Sequence, residues 1–224
     1  MGAVALAHTL QKYHGEKYGM LCLVTPDVNN TWVEILQQWW EVIKVPNFKP
    51  KSNFRRSWAK LFLWDQIQYD KLVYFDSDIL IFNPVDELFQ YPQLSCASDP
   101  SPPQICNTGV LVIEPKSGLL NRMQAASKID GNVMGIGDQA FINFFFNGFT
   151  PLPPKFNILR IQTRGLSFAI KNNLTKAVHY VCKKPWKCGR QETCGCGYPS
   201  FNQKWWDIWD EACANHKCIE SWSE

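Results

Sequence analysis

Nowhere in these 224 residues does an uninterrupted apolar run approach the roughly 20 residues that cross a bilayer as a helix, and the N-terminus lacks the basic-then-apolar layout of a secretory leader. A membrane anchor, if the protein has one, is therefore expected outside this stretch of sequence. Strong charge of one sign is missing too. Lys and Arg number 23 against 20 Asp and Glu, and the formal +3 is too small and too scattered to recruit nucleic acid. Charged residues are only 19%, while hydrophobic residues reach 46% and aromatic ones 14%, which excludes a disordered chain and supplies apolar mass for a full core. No internal repeat is present, and a single main domain is the simplest reading of the length.

Cysteine is the residue in excess. Six of the nine fall between 182 and 218: Cys182, Cys188, Cys194, Cys196, Cys213 and Cys218. Disulfides are the first expectation for such a cluster. Zinc competes, but one residue between Cys194 and Cys196 is too few for a zinc knuckle and the Cys213 to Cys218 gap is too wide; free thiols are the third reading. Cys22, inside MLCLV, reads as a small core residue. The sequons Asn29-Asn30-Thr31 and Asn173-Leu174-Thr175 fit a secretory compartment.

Strand and helix signals alternate over most of the length. Residues 20–24 read as a strand, and Thr31 with Glu34 reads as a capping box before a helix carrying Ile35, Leu36, Trp39, Trp40 and Ile43. Ser57 is expected to cap a helix packed through Trp58, Leu61, Phe62, Trp64 and Ile67. A buried parallel-type strand, Leu72 to Phe75, follows it. GVLVIEP at 109–115 reads as another strand, with helices expected over about 117–128 and from Asp138. After prolines 151, 153 and 154, AVHYV at 177–181 is a short strand, and WWDIWDEA in the cysteine-rich tail is one amphipathic helix.

The strand from Leu72 ends in Asp76-Ser77-Asp78. Carboxylates at the carboxyl end of a strand sit where open α/β sheets bind ligands, and oxygen donors suit Mg²⁺ or Mn²⁺ carrying a phosphate. Eleven aspartates in 224 residues produce such a pair by chance in roughly half of chains this size, so the pair alone is equally a solvated turn. His179 in the middle of AVHYV is by itself most simply a core histidine.

Several separated motifs nevertheless stand in a telling order: Lys60 in WAKLFLW, Asp76 and Asp78, Asn107-Thr108-Gly109, Gly137-Asp138-Gln139, then HYVCKKPWKC with His179 and Lys184. Over about residues 2–187 this set resembles the retaining nucleotide-sugar transferases of glycosyltransferase family eight, which include glycogenin, galactinol synthase and the plant xylan glucuronosyltransferases. The spacing of the last motif resembles the glucuronosyltransferase branch most. The resemblance implies a Rossmann-like α/β fold of the GT-A type with a mixed sheet, occupying residues 1–187, and a small cysteine-rich extension over 188–224. It implies a UDP-sugar donor, a glycan or other hydroxyl acceptor, and Mn²⁺ held by Asp76, Asp78 and His179. Donor contacts would come from Lys60, Ser77, Asn107, Gly109 and Lys184 as well as from the two acids. Asp138 and Gln139 would lie beneath the reactive face of the sugar, as nucleophile and partner in a covalent mechanism or as orienting groups in same-face attack. A Golgi or other secretory, lumenal location is expected, with a cytoplasmic one as the alternative.

Each residue also has a plainer reading: a helix-surface charge for Lys60, a turn entering a strand for Asn107 and Gly109, a dipole-favoured helix start for Asp138. Two departures from the family pattern carry expectations of their own. Cys182 stands where the loop usually has glycine. GAVALAHTL at the start resembles the helix after the family's first strand, so that strand is expected to be absent here. A truncated transferase fold acting as a glycan- or partner-binding module is the competing function. A phosphohydrolase is disfavoured because Ile79 follows Asp78 where threonine or valine is wanted.

Overall fold

The computed structural model describes residues 1–48, 57–100, 104–128, 137–162, 174–190 and 199–219. Asn173, Cys194 and Cys196 lie outside the described residues. The chain opens with α1 (Gly2–His14), whose Val4, Ala5, Leu6 and Ala7 are buried. Strand β1 (Leu21–Val24), helix α2 (Asn30–Leu36) and strand β2 (Glu41–Lys44) follow as a right-sized crossover, with β1 and β2 parallel. The cap of α2 is Asn29, whose side chain accepts from the amide of Thr31 at 2.8 Å, so the cap sits two residues earlier than the Thr31 box predicts. The helix stops at Leu36 because Ile43 belongs to β2, where pairing with Leu23 overrides the helical spacing of the apolar residues.

Residues Ser57–Asp65 form a 3-10 helix rather than an α-helix, burying Trp58, Leu61, Phe62 and Trp64, while Ile67 lies beyond its end and is 58% exposed. Strand β3 (Leu72–Phe75) is half-buried and central to no parallel sheet: its described partner is antiparallel. After β3 come β4 (Ile79–Ile81) and β5 (Ser95–Cys96), and then β6 (Val110–Ile113), every residue of which is buried. β6 lies between β3 and β5, antiparallel to both. Helices α3 (Leu119–Ala126) and α4 (Asp138–Phe146) precede β7 (Thr150–Pro151), β8 (Ile158–Leu159) and β9 (Ala177–His179). β9 joins β4 antiparallel and β8 parallel in a second sheet, so the sheets are mixed.

The short α5 (Pro185–Cys188) leads toward α6 (Pro199–Cys213). Phe201, Trp205, Trp209 and Ala212 of α6 share one buried cluster with Val4 and Ala5 of α1 and Trp39, so the tail helix closes the same core as the first helix. Cys213 bonds Cys218, and Cys182 and Cys188 each take part in a disulfide. Cys96–Cys106, a bridge between β5 and the approach to β6, lies outside the cluster of six. Cys22 is free and packs against the α1 cluster, where burial pushes its thiol up to about 11. No described helix is long and apolar enough to cross a membrane.

Candidate metal and donor site

Asp76 leaves the carboxyl end of β3 with its amide still on the ladder, bonding the Gly109 carbonyl at 2.8 Å. The turn closes when the Ile79 amide bonds the Asp76 carbonyl at 3.0 Å, and the chain enters β4 in the second sheet. There β9 pairs Ile79 with His179, and the Tyr180 amide bonds the Asp78 carbonyl at 2.8 Å. Two sheets thus meet at the Asp76-Ser77-Asp78 turn. One donor atom from each of Asp76, Asp78 and His179 lies within 4.8 Å of the other two. His179 Nε2 is 3.2 Å from Asp78 Oδ1 and 3.9 Å from Asp76 Oδ2.

Other contacts engage the remaining atoms of these side chains and leave those three to converge. Asp76 Oδ1 accepts from Tyr74 Oη at 2.5 Å and lies 3.1 Å from Lys60 Nζ. Asp78 Oδ2 is paired with Lys184 Nζ, which also donates to the Tyr180 carbonyl at 3.1 Å. His179 Nδ1 is 3.1 Å from Asn157 Oδ1. A relay sets the proton on Nδ1. The Asp99 carboxylate accepts from Asn107 Nδ2 at 3.0 Å, Asn107 Oδ1 accepts from Asn157 Nδ2 at 2.8 Å, and Asn157 Oδ1 is therefore left to accept the proton of His179 Nδ1. Nε2 is then the nitrogen aimed at Asp78, and its lone pair would be offered to an ion on release of a proton. Gly109 gives the ring its space, since a Cβ there would stand 2.5 Å from His179 Cε1 and Nδ1.

Lys60 is 7% exposed and far from a helix-surface charge. Its ammonium lies 2.6 Å from Asp138 Oδ2 as well as near Asp76, and it donates to the Thr108 carbonyl at 3.0 Å and to Thr108 Oγ1 at 3.2 Å. Burial alone would lower the Lys60 pKa, but Asp76 and Asp138 outweigh it and raise it. Asp138 opens α4 after Gly137. Burial opposes its ionisation, yet Lys60, with Ser57 and Thr108, holds the carboxyl below the usual range. Gln139 Oε1 accepts from the Thr108 amide at 3.2 Å, and its Nε2 faces Asp99 at 3.4 Å. Burial also opposes ionisation of Asp78, and His179 and Lys184 overcome it and hold that carboxyl well below the usual range. Burial, then Asp76, pushes the Tyr74 hydroxyl well up.

Because the folded pKa values of Asp78 and Asp138 lie below the ordinary carboxylate value of about 3.9, the stability they contribute is present above that value and is lost as pH falls through the lower folded values. Urea midpoints of metal-free wild-type protein should therefore drop more steeply below pH about 4 than those of Asp78→Asn. Parallel curves would show that Asp78 carries no such pairing.

The six ionisable side chains predicted from sequence, Lys60, Asp76, Asp78, Asp138, His179 and Lys184, form one connected cluster, with the amides of Asn107 and Gln139 behind it. Ser77 stands exposed between the acids, and its carbonyl lies where a Cβ on Gly2 would clash at 2.2 Å, so α1 starts directly against the turn. Asn157, Asp99 and Tyr74 lie outside the sequence-derived set, and Thr108 enters it only as the middle of the Asn107-Thr108-Gly109 motif. Tyr74 was findable, two residues before Asp76 on the same strand; nothing local marks Asn157. A cavity of about 550 Å³ runs beside the cluster, lined by Lys60, Asp76, Asp78, Asp138 and Lys184 together with apolar side chains of α1, β1 and β3.

No protein-family model matches the chain. Glycogenin-1 of Oryctolagus cuniculus is 30% identical over 239 residues, covering 92% of this chain and 71% of the relative. The chain belongs to glycosyltransferase family eight. Another member, a putative UDP-glucuronate:xylan alpha-glucuronosyltransferase 5 of Arabidopsis thaliana, is 29% identical over 227 residues, which are 94% of this chain and 39% of that protein. The chain thus spans about two fifths of the length of the curated plant glucuronosyltransferases it matches. Among solved structures, the galactosyltransferase LgtC in complex with donor and acceptor sugar analogs superposes with a TM-score of 0.74 over 97% of this chain and 92% of that one, at 16% identity. That likeness establishes the GT-A type of mixed α/β fold.

Proposed function

We propose that residues 1–187 are the catalytic domain of a Mn²⁺-dependent retaining glycosyltransferase that moves a hexose or hexuronic acid from a UDP-sugar to a hydroxyl of a glycan or other acceptor, with 188–224 as an extension on the same core. One observation carries this reading: the convergence of Asp76, Asp78 and His179 between two ammonium groups, Lys60 and Lys184, beside a cavity in the size range of small-molecule sites. Two carboxylate oxygens and one imidazole nitrogen suit a divalent ion that retains open positions for phosphate oxygens. When bound, Mn²⁺ would offset the negative charge that develops on the departing diphosphate.

The side chains have distinct tasks in this reading. Asp76, Asp78 and His179 would hold the ion, and Asn157, bound to Nδ1, turns His179 Nε2 toward it. Lys184 exchanges its partner Asp78 for a donor phosphate. Ser77, at the exposed turn, and the Gly109 backbone border the donor. Both amide atoms of Asn107 are engaged by protein groups, which supports a role beneath the donor as part of the relay. The Lys60 ammonium 2.6 Å from Asp138 blunts that carboxylate as a nucleophile and supports same-face attack, with Asp138 stabilising positive charge on the sugar and Gln139 orienting it. The Cys96–Cys106 and Cys213–Cys218 bridges support an oxidising lumen such as the Golgi.

The test is incubation with Mn²⁺ and a panel of UDP-sugars, beginning with UDP-glucuronate, with UDP release and transfer to glycan acceptors as readouts. UDP release that EDTA abolishes is expected. No release from any donor, together with no UDP binding by calorimetry, would leave the glycan-binding module as the surviving reading.

A further inference from the structure

The turn that brings Lys184 to Asp78 has a support the metal site does not explain. After β9 ends at His179 the chain turns through Tyr180 to Lys184, and Cys182 in its middle has φ 66°, the left-handed region that disfavours a residue bearing a Cβ. Such a turn depends on outside contacts. One is the disulfide of Cys182 itself. Arg160 supplies another. β8 runs parallel to β9 with Leu159 opposite His179, so Arg160 follows beside Tyr180, and it is only 1% exposed. Its Nη2 donates to the Val181 carbonyl at 3.3 Å and to the Lys183 carbonyl at 2.7 Å, the two carbonyls that bracket Cys182. Lys184 is the next residue, its ammonium shared between the Tyr180 carbonyl and Asp78.

We propose that Arg160 is a positioning residue for the donor site: by bracketing Cys182 it sets the turn that aims Lys184 at Asp78, and through Lys184 it sets affinity for the donor diphosphate. A planar guanidinium with fixed donors suits two carbonyls separated by one residue better than the point charge of a lysine. Arg160 makes no hydrogen bond to Asp76, Asp78 or His179 among the described residues; its charge reaches Asp78 through space, and its hold on the turn acts through Lys184. The ligand in this proposal rests on the donor reading above, whereas the geometry stands without it.

The experiment is calorimetry of UDP with Mn²⁺ for wild type, Arg160→Met, Lys184→Met and the double variant. Arg160→Met is expected to weaken UDP by about 10-fold, and the double variant to bind no more weakly than Lys184→Met alone, because contacting groups are non-additive when one acts through the other. A merely structural arginine would cost the same factor in both backgrounds; that outcome, or unchanged affinity in Arg160→Met, overturns the proposal. If Arg160→Met fails to fold, Arg160→Lys carries the same cycle with an expected loss of about 3-fold. Should the wild type bind no UDP, the donor reading fails separately, and amide exchange at 181–184 in ligand-free protein decides: faster exchange in the Arg160 variant than in Lys184→Met supports the positioning role, and equal rates overturn it.

Discussion

Asp78→Asn is expected to remove metal-dependent UDP binding and to lower turnover by about 100- to 1,000-fold, the range seen when one preorganised electrostatic contact to a departing charge is lost. The substitution keeps the volume of a residue that is 9% exposed, so its effect is chemical. Asp78 is the hinge of the site. One oxygen faces His179 Nε2 at 3.2 Å and the other holds Lys184. An asparagine carries no charge for the ion, and its amide nitrogen would have to face either the Lys184 ammonium or the ion, donor against cation in both cases. Titration with UDP in Mn²⁺ and in EDTA, alongside initial rates, checks this. UDP affinity that stays metal-dependent and unchanged would remove Asp78 from the ion's ligands.

Lys60→Met is expected to destabilise the protein by about 3–5 kcal/mol, because deleting one partner of a buried ion pair strands the other's charge. For a chain of this size that corresponds to a melting temperature lower by about 6–20 °C. Two carboxylates are stranded here, Asp76 at 3.1 Å and Asp138 at 2.6 Å, and Thr108 loses the donor on its carbonyl. Lys60→Met combined with Asp138→Asn should therefore lose less than the sum of the two single changes. Ion affinity moves the other way: with one positive charge fewer beside Asp76, Mn²⁺ should bind Lys60→Met at least as tightly as wild type. A stable Lys60→Met protein would show that water or another cation reaches Asp76 and Asp138 in its place.

The parts of this site that local sequence reveals are those with a short-range signature. The four apolar residues before Asp76 announce a strand, GVLVIEP announces β6, and Gly137-Asp138 announces a helix start, and each element stands within a few residues of its expected place. Where the structure differs, either a neighbouring local signal wins, as at the start of α2, or a longer-range pairing overrides the local pattern, as at Ile43 and β3. Thr31 and Glu34 spell a capping box, but Asn29 makes the cap. Ile43 continues a helical stripe, but pairing with β1 draws it into a strand. The strand before Asp76 looks parallel because it is apolar throughout, although its neighbour β6 runs antiparallel.

Sequence by itself determined which chemical groups are present and in what order: two acids at a strand end, a histidine in a later strand, lysines at 60 and 184, an acid opening a helix. Tertiary structure decided what those groups do to one another. It turned Lys60 inward to two carboxylates, set His179 against Asp78 through the pairing of β9 with β4, oriented its ring through Asn157, and placed Arg160 against the turn that leads to Lys184. The physical reason is range. Helix and strand periods repeat over a few residues and so are written locally, whereas hydrogen bonds and ion pairs between residues tens of positions apart leave no period in the chain and exist only once the two sheets meet.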